Sequence, residues 1–156
     1  MEWSNEQVEA WLNDDQKKVV GDINWKDHSK TGIGGVEFIA KLEVNTGEAM
    51  QIKGFCNYVT RKLTFAVIAS SCGRLYGLCI GDVRHTDAKS KKLIRGTHKH
   101  KYILPWRDRH AYVPGDITAK YDEVEKAWRE FCLEAKITHE GTMDIPVVGY
   151  QGDMFK

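Results

Sequence analysis

The spacing of hydrophobic positions changes along the chain, and each change marks an element. Near the start, Val8, Trp11, Leu12 and Val19 fall on one stripe at helical spacing. Ser4 with Gln7 fits a capping box, and Trp3 with Val8 fits a hydrophobic staple. These features predict a helix over about 4–20. GIGG at 32–35 reads as a loop. The period then drops to two. In VEFIAKLEV, Val36, Phe38, Ala40, Leu42 and Val44 alternate with Glu37, Lys41 and Glu43, and Asn45-Thr46-Gly47 is hairpin chemistry. AMQIKGFCNY continues the alternation, and RKLTFAVIAS and RLYGLCIG follow across short connections. Short connections favour sequential antiparallel pairing, so 36–80 is predicted as a four-stranded meander.

From 81 to 96, GDVRHTDAKSKKLIRG has no period and is read as a basic loop of a length that is commonly functional. THKHKYIL predicts a fifth strand, PWRD a turn, and RHAYV a sixth strand ending at Pro114, which makes 97–114 a His-rich hairpin. In YDEVEKAWREFCLEAKI, Val124, Ala127, Trp128, Phe131 and Ala135 make one apolar face, and Asp122 with Glu125 supplies a start signal. A helix is predicted over about 121–136, and the aperiodic tail 138–156 is expected to lie over the surface. The fold class is therefore α+β: a single domain, 1–156, with an antiparallel sheet of about six strands and an N-terminal and a C-terminal helix packed on it. Whether the sheet curls toward a barrel is left open by the pattern.

Composition narrows the class. At 156 residues, 42% hydrophobic and 29% charged, the chain has the make-up of an ordinary soluble domain. No apolar run approaches the ~20 residues that span a bilayer. MEWSNEQVEAWL is acidic and amphipathic rather than a signal peptide. The expectations are a cytoplasmic protein without a membrane partner. Cys56, Cys72, Cys79 and Cys132 form no C-x-x-C pair. They are read as free, mostly buried thiols, with little support for a zinc–thiolate site.

Charge changes the picture. The net charge is only +1, but the window 84–110 holds nine Lys/Arg against Asp87 and Asp108, together with four histidines. Such a local field attracts polyanions whatever the net charge. On a strand, His98, His100 and Tyr102 share one face, with about 7 Å between successive members. A four-residue PWRD loop would pair Leu104 with Arg109 and Ile103 with His110, placing Arg109 on the His98/His100 face and His110 on the other. A one-residue change in the loop reverses that assignment.

Imidazole beside guanidinium can hold phosphate, or can exchange protons with an RNA 2′-hydroxyl while arginine stabilises the transition state. The candidate ligand-binding residues are Arg61, Arg84, Arg95, Thr97, His98, His100, Tyr102, Trp106, Arg107, Arg109 and His110. His98 and His100 are the acid–base pair if the protein is an enzyme. Tyr102, Trp106 and Tyr112 among the cations suit base stacking and equally suit a core under a hairpin. A metal at His98/His100 lacks an evident third ligand and is opposed by neighbouring cations, so neither metal nor cofactor is expected.

From about Arg61 onward, RKLTF, THKHKY, RDRHAYVP, AWREFCLEAKI and Phe155 near the end together resemble an uncharacterised group of small bacterial and mobile-element domains. In that group a His-x-His-x-aromatic strand leads through a short turn to an aromatic-x-Pro segment, here Tyr102 and Tyr112-Val113-Pro114. The resemblance implies that 97–114 acts as one unit and that a phage-like source, with toxin or anti-defence roles, is in view. The reading carried forward is binding of a nucleotide or RNA without turnover. The alternatives are a metal-independent endoribonuclease and an inhibitor whose basic face docks on an acidic protein partner.

Overall fold

The computed structural model describes residues 2–27 and 35–146. Helix α1, Asn5–Asn13, begins with the predicted capping box: the Gln7 amide donates to Ser4 Oγ and the Ser4 amide to Gln7 Oε1. It ends seven residues earlier than its stripe suggests. Asp14 is extended, and Lys17 turns back so that Nζ donates to the carbonyls of Trp11, Leu12 and Asp14, satisfying the free end of the helix. Val19 thus belongs to strand β1, Lys17–Val20, where burial alternates at period two. Two β-branched residues in succession favour that outcome.

The main sheet has seven strands in one open layer. They are β2 (Lys26–Asp27), β3 (Gly35–Leu42), β4 (Met50–Asn57), β5 (Lys62–Ala69), β6 (Gly73–Gly81), β9 (His98–Lys101) and β10 (Ala111–Tyr112), and the order is β10-β9-β6-β5-β4-β3-β2. All pairs are antiparallel. The sheet does not close into a barrel: both edges are two-residue strands, short enough to discourage further pairing. Between β6 and β9 the chain leaves the sheet to form a small hairpin of β7, Arg84–Thr86, and β8, Leu93–Arg95. The segment read as a basic loop therefore has a structure of its own.

Helix α2, Val124–Glu134, packs on one face of the sheet through Val124, Ala127, Trp128 and Phe131. It starts at the Glu123 cap without a side-chain cap bond. Phe65 is the hub of this core, with ring centroids 5.3 Å from Trp128, 5.4 Å from Phe131 and 6.2 Å from Phe38. Truncating such a ring costs about 3–5 kcal/mol. Gly54 lies directly under the Phe38 ring, where an added Cβ would stand 2.0 Å from ring carbon, so only glycine lets that ring cross β4. β11, Ile137–Glu140, pairs in parallel with β1, so the start of the expected surface tail is a strand. Residues 147–156, with Phe155, and 28–34, with most of GIGG, lie outside the described residues. Among the described residues no helix is long and apolar enough to cross a membrane.

Candidate functional site

Alternation splits β9 between two environments. Register places Lys99 opposite Leu78 on the helix-covered face. His98 opposite Cys79 and His100 opposite Gly77 lie on the other face. Over this second face folds the β7–β8 flap. Its ladder pairs Arg84 with Arg95, His85 with Ile94 and Thr86 with Leu93. His85 and Ile94 are half-buried and turned inward, while Arg84, Thr86, Leu93 and Arg95 are exposed.

Asp87 fastens the flap. Its carboxylate accepts from the amides of Ser90 at 2.8 Å and Ala111 at 2.9 Å, and His110 Nδ1 stands 3.0 Å away. Burial pushes this carboxyl up, but the donors from Ala111, Ser90 and His110 outweigh it and hold it well below the usual carboxylate range. The Ala88 amide and His85 Nε2 both meet the Arg109 carbonyl, at 3.1 and 3.0 Å.

Beneath the flap, three imidazoles and a thiol converge. Ring centroids of His85 and His100 are 4.7 Å apart, those of His98 and His100 4.9 Å, and those of His85 and His98 5.7 Å. One ligand-capable atom from each of Cys79, His98 and His100 lies within 4.8 Å of the others. Each ring is held by a backbone carbonyl. His98 Nδ1 is 2.9 Å from Gly96 O, His100 Nδ1 is 3.0 Å from Asp108 O, and His85 Nε2 reaches Arg109 O. A carbonyl accepts only from a protonated nitrogen, so at His98 and His85 the contact selects the tautomer that leaves the opposite nitrogen as a lone pair, whereas at His100 the Asp108 carbonyl and the Arg74 guanidinium meet the same Nδ1 and call for opposite tautomers.

His98 and His100 are 2% and 3% exposed. Burial, and for His100 next the Arg74 guanidinium, pushes their pKa values down, that of His100 to about 3. Both rings are neutral at physiological pH. Burial likewise raises the Cys79 thiol, against a smaller lowering by Arg74. Arg74 Nη2 stands 3.2 Å from His100 Nδ1 and also donates to Asp108 O at 3.3 Å, with Asp108 Oδ2 at 3.5 Å.

The predicted residues therefore separate. His98 and His100 are together but covered. Arg84 and Arg95 are together and exposed. Arg61, also exposed, has its carbonyl bonded to the Asp82 amide at the root of the flap. Thr97 is half-buried at the start of β9. Tyr102 leaves the histidine row for the main core, 1% exposed. Trp106 lies under Lys89, whose Nζ is 5.5 Å from the ring centroid. Arg107 is paired with Glu2.

The PWRD turn does not give the simple register. Ile103 bridges Arg107, and β10 then pairs Ala111 with His100. The one extra residue in 108–110 turns the Asp108 and Arg109 carbonyls, rather than the Arg109 side chain, toward the imidazoles. His110 turns instead to Asp87. Sequence reasoning missed Cys79, His85 and Asp87. His85 carried a signal, as a histidine inside the basic segment, whereas Cys79 enters only through the β6–β9 register.

Comparison with family models, with curated proteins and with solved structures gives no match for this chain.

Proposed function

We propose that the protein binds a phosphate-bearing polyanion, of the single-stranded RNA class, on the outer face of the flap. The observation that carries the reading is the directly opposed pair Arg84 and Arg95. Like charges across a two-stranded ladder repel and destabilise it. Neither arginine has an ion pair among the described residues. An anion laid across the pair removes that repulsion. Within 84–110, Lys99, Lys101 and Arg107 are neutralised by carboxylates from elsewhere in the chain. Lys89, Lys91 and Lys92 are exposed around the flap turn, at the other end of the hairpin from the two arginines. The face is open rather than enclosed, which suits an extended backbone better than a single nucleotide. Trp106 beside Lys89 offers a ring for a base.

The buried, neutral imidazoles give no support to a protonated His98 or His100 gripping phosphate, and the covering flap keeps them from acting directly on RNA. Binding without turnover is the reading the geometry favours. It is tested by fluorescence anisotropy of a labelled single-stranded RNA oligonucleotide between roughly 50 and 300 mM salt. Affinity should fall steeply with salt, and Arg84→Ala with Arg95→Ala should flatten the log–log slope by about 1.4, two phosphates at about 0.7 each. Salt-independent binding, or an unchanged slope in the double variant, overturns the reading.

A further inference from the structure

We propose that Cys79, His98 and His100 form a binding site for one divalent ion of the zinc class, with the fourth position facing His85 on the flap. The site does not depend on polyanion binding, which rests on other residues of the outer face.

Three observations carry it. The first is convergence: a thiol sulfur and two imidazole nitrogens within 4.8 Å of one another, on two hydrogen-bonded strands. With Zn–S near 2.3 Å and Zn–N near 2.0–2.1 Å, tetrahedral ligands stand roughly 3.3–3.8 Å apart. The cluster therefore closes on an ion by a contraction of about 1 Å, within the reach of side-chain rotation. The second is the outer shell. Metal-binding histidines characteristically donate their other ring N–H to a carbonyl or carboxylate, which fixes the tautomer and raises basicity. His98 and His85 each meet a backbone carbonyl in this way, at 2.9 and 3.0 Å, and His100 Nδ1 stands 3.0 Å from the Asp108 carbonyl with Arg74 Nη2 beside it at 3.2 Å. Among the described residues no hydrogen bond reaches Nε2 of His98 or His100. The third is that mixed sulfur and imidazole ligation suits zinc rather than magnesium or calcium, which take oxygen.

Arg74 opposes a dication, but its charge is directed to Asp108, and the Cys79 thiol loses its proton on binding and brings a negative charge of its own. The ligands come from β6 and β9, and His85 comes from β7. Ion binding would clip the flap to the sheet.

Cobalt(II) serves as the spectroscopic stand-in for zinc. Titrated into the chelator-treated full chain at neutral pH, it should bind at one equivalent. It should give the visible bands of tetrahedral cobalt and a near-ultraviolet thiolate-to-cobalt band, all bleached by one equivalent of zinc. Cys79→Ser should remove the thiolate band, while Cys72→Ser, a free thiol elsewhere, should keep it. His98→Gln and His100→Gln should each weaken cobalt binding by more than the roughly 10–100-fold that loss of an outer-shell partner costs. Folding of each variant is checked by circular dichroism. The wild-type titration stands independently of them: no stoichiometric cobalt binding by the wild-type chain overturns the proposal. So does a thiolate band that survives in Cys79→Ser.

Discussion

Strand β9 buries polar side chains on both faces, and the two faces solve the problem differently. On the helix side, Lys99 is 1% exposed, and its ammonium is matched from within the chain. Nζ donates to Asp116 Oδ1 and Oδ2 at 2.9 and 2.7 Å and to Glu134 Oε1 at 2.6 Å, and the Tyr76 hydroxyl donates to the same Glu134 oxygen. The Lys99 ammonium meets acceptors on both carboxylates and asks for nothing from outside. On the flap side, His98 and His100 are as deeply buried, but Nδ1 of each lies against a backbone carbonyl and one ligand-capable atom of each converges with Cys79. A satisfied cluster has a structural explanation. A cluster of two imidazoles and a thiol converging within 4.8 Å has the donor set of a metal site.

The largest expected effect comes from breaking the satisfied face. Asp116→Asn with Glu134→Gln strands a buried ammonium without a counter-charge. Removing the partner of a buried ion costs 3–5 kcal/mol, and because the two carboxylates are 50% and 33% exposed, about 3 kcal/mol is the expected loss in urea unfolding. Lys99→Met should cost clearly less, since the freed carboxylates can turn to water. Equal losses in the two would mean that Lys99 is held by packing rather than by charge.

Next comes the tie that holds the flap over the other face. Asp87→Ala leaves the buried Ala111 amide without its acceptor and releases Ser90 and His110. A hydrogen bond to a charged group contributes about 1.5–3 kcal/mol, and the loss should be local. Hydrogen exchange should speed up at Ser90 and Ala111 while β4 and β5 keep their protection. The same carboxylate sets an acid limit. Its folded-state pKa lies below the ordinary 3.8, so its contribution is whole above that pH and is lost as pH falls through the depressed value. In Asp87→Asn that part of the acid unfolding curve should vanish. An unchanged curve would show that the flap is not held through Asp87.

The sequence made the helix-covered face legible and the flap-covered face only half so. The period-two runs named Val36, Phe38 and Leu42 as core because burial on one face of a sheet leaves its mark in alternation. The same rule placed His98 and His100 on one side. Two things stayed hidden. The β7–β8 hairpin has no apolar alternation, since its outer face is cationic and its turn is built by the Asp87 side chain rather than by an Asn-Gly pair. The partners of His98 and His100 depended on register: Cys79 lies opposite His98 because β6 pairs with β9 across the excursion of the flap. One extra residue between the Ile103–Arg107 bridge and the Ala111–His100 pair left His110 outside the ladder, turned to Asp87. Local propensity carries no information on either point. The end of α1 failed for a related reason, because Lys17 reaches back to the helix carbonyls and a tertiary contact overrides an amphipathic stripe.

The smallest expected effect on stability separates structure from function on the flap itself. Arg84 and Arg95 are cross-strand neighbours, and a pair of like charges in that position destabilises a ladder by a few tenths of a kcal/mol up to about 1. Arg84→Glu replaces repulsion with attraction across the same two backbone positions. The flap should become more stable by about 0.5 kcal/mol, read as slower exchange of the β7–β8 amides. RNA affinity should fall in the same variant, because one phosphate contact is lost and a negative charge faces the ligand. A protein under pressure only to keep its flap folded has no use for the arginine pair, whereas one that grips phosphate accepts the repulsion for the sake of the contact. The two readouts should therefore move in opposite directions. If Arg84→Glu leaves RNA affinity unchanged while exchange slows, the basic outer face is a solvated surface and the polyanion reading fails.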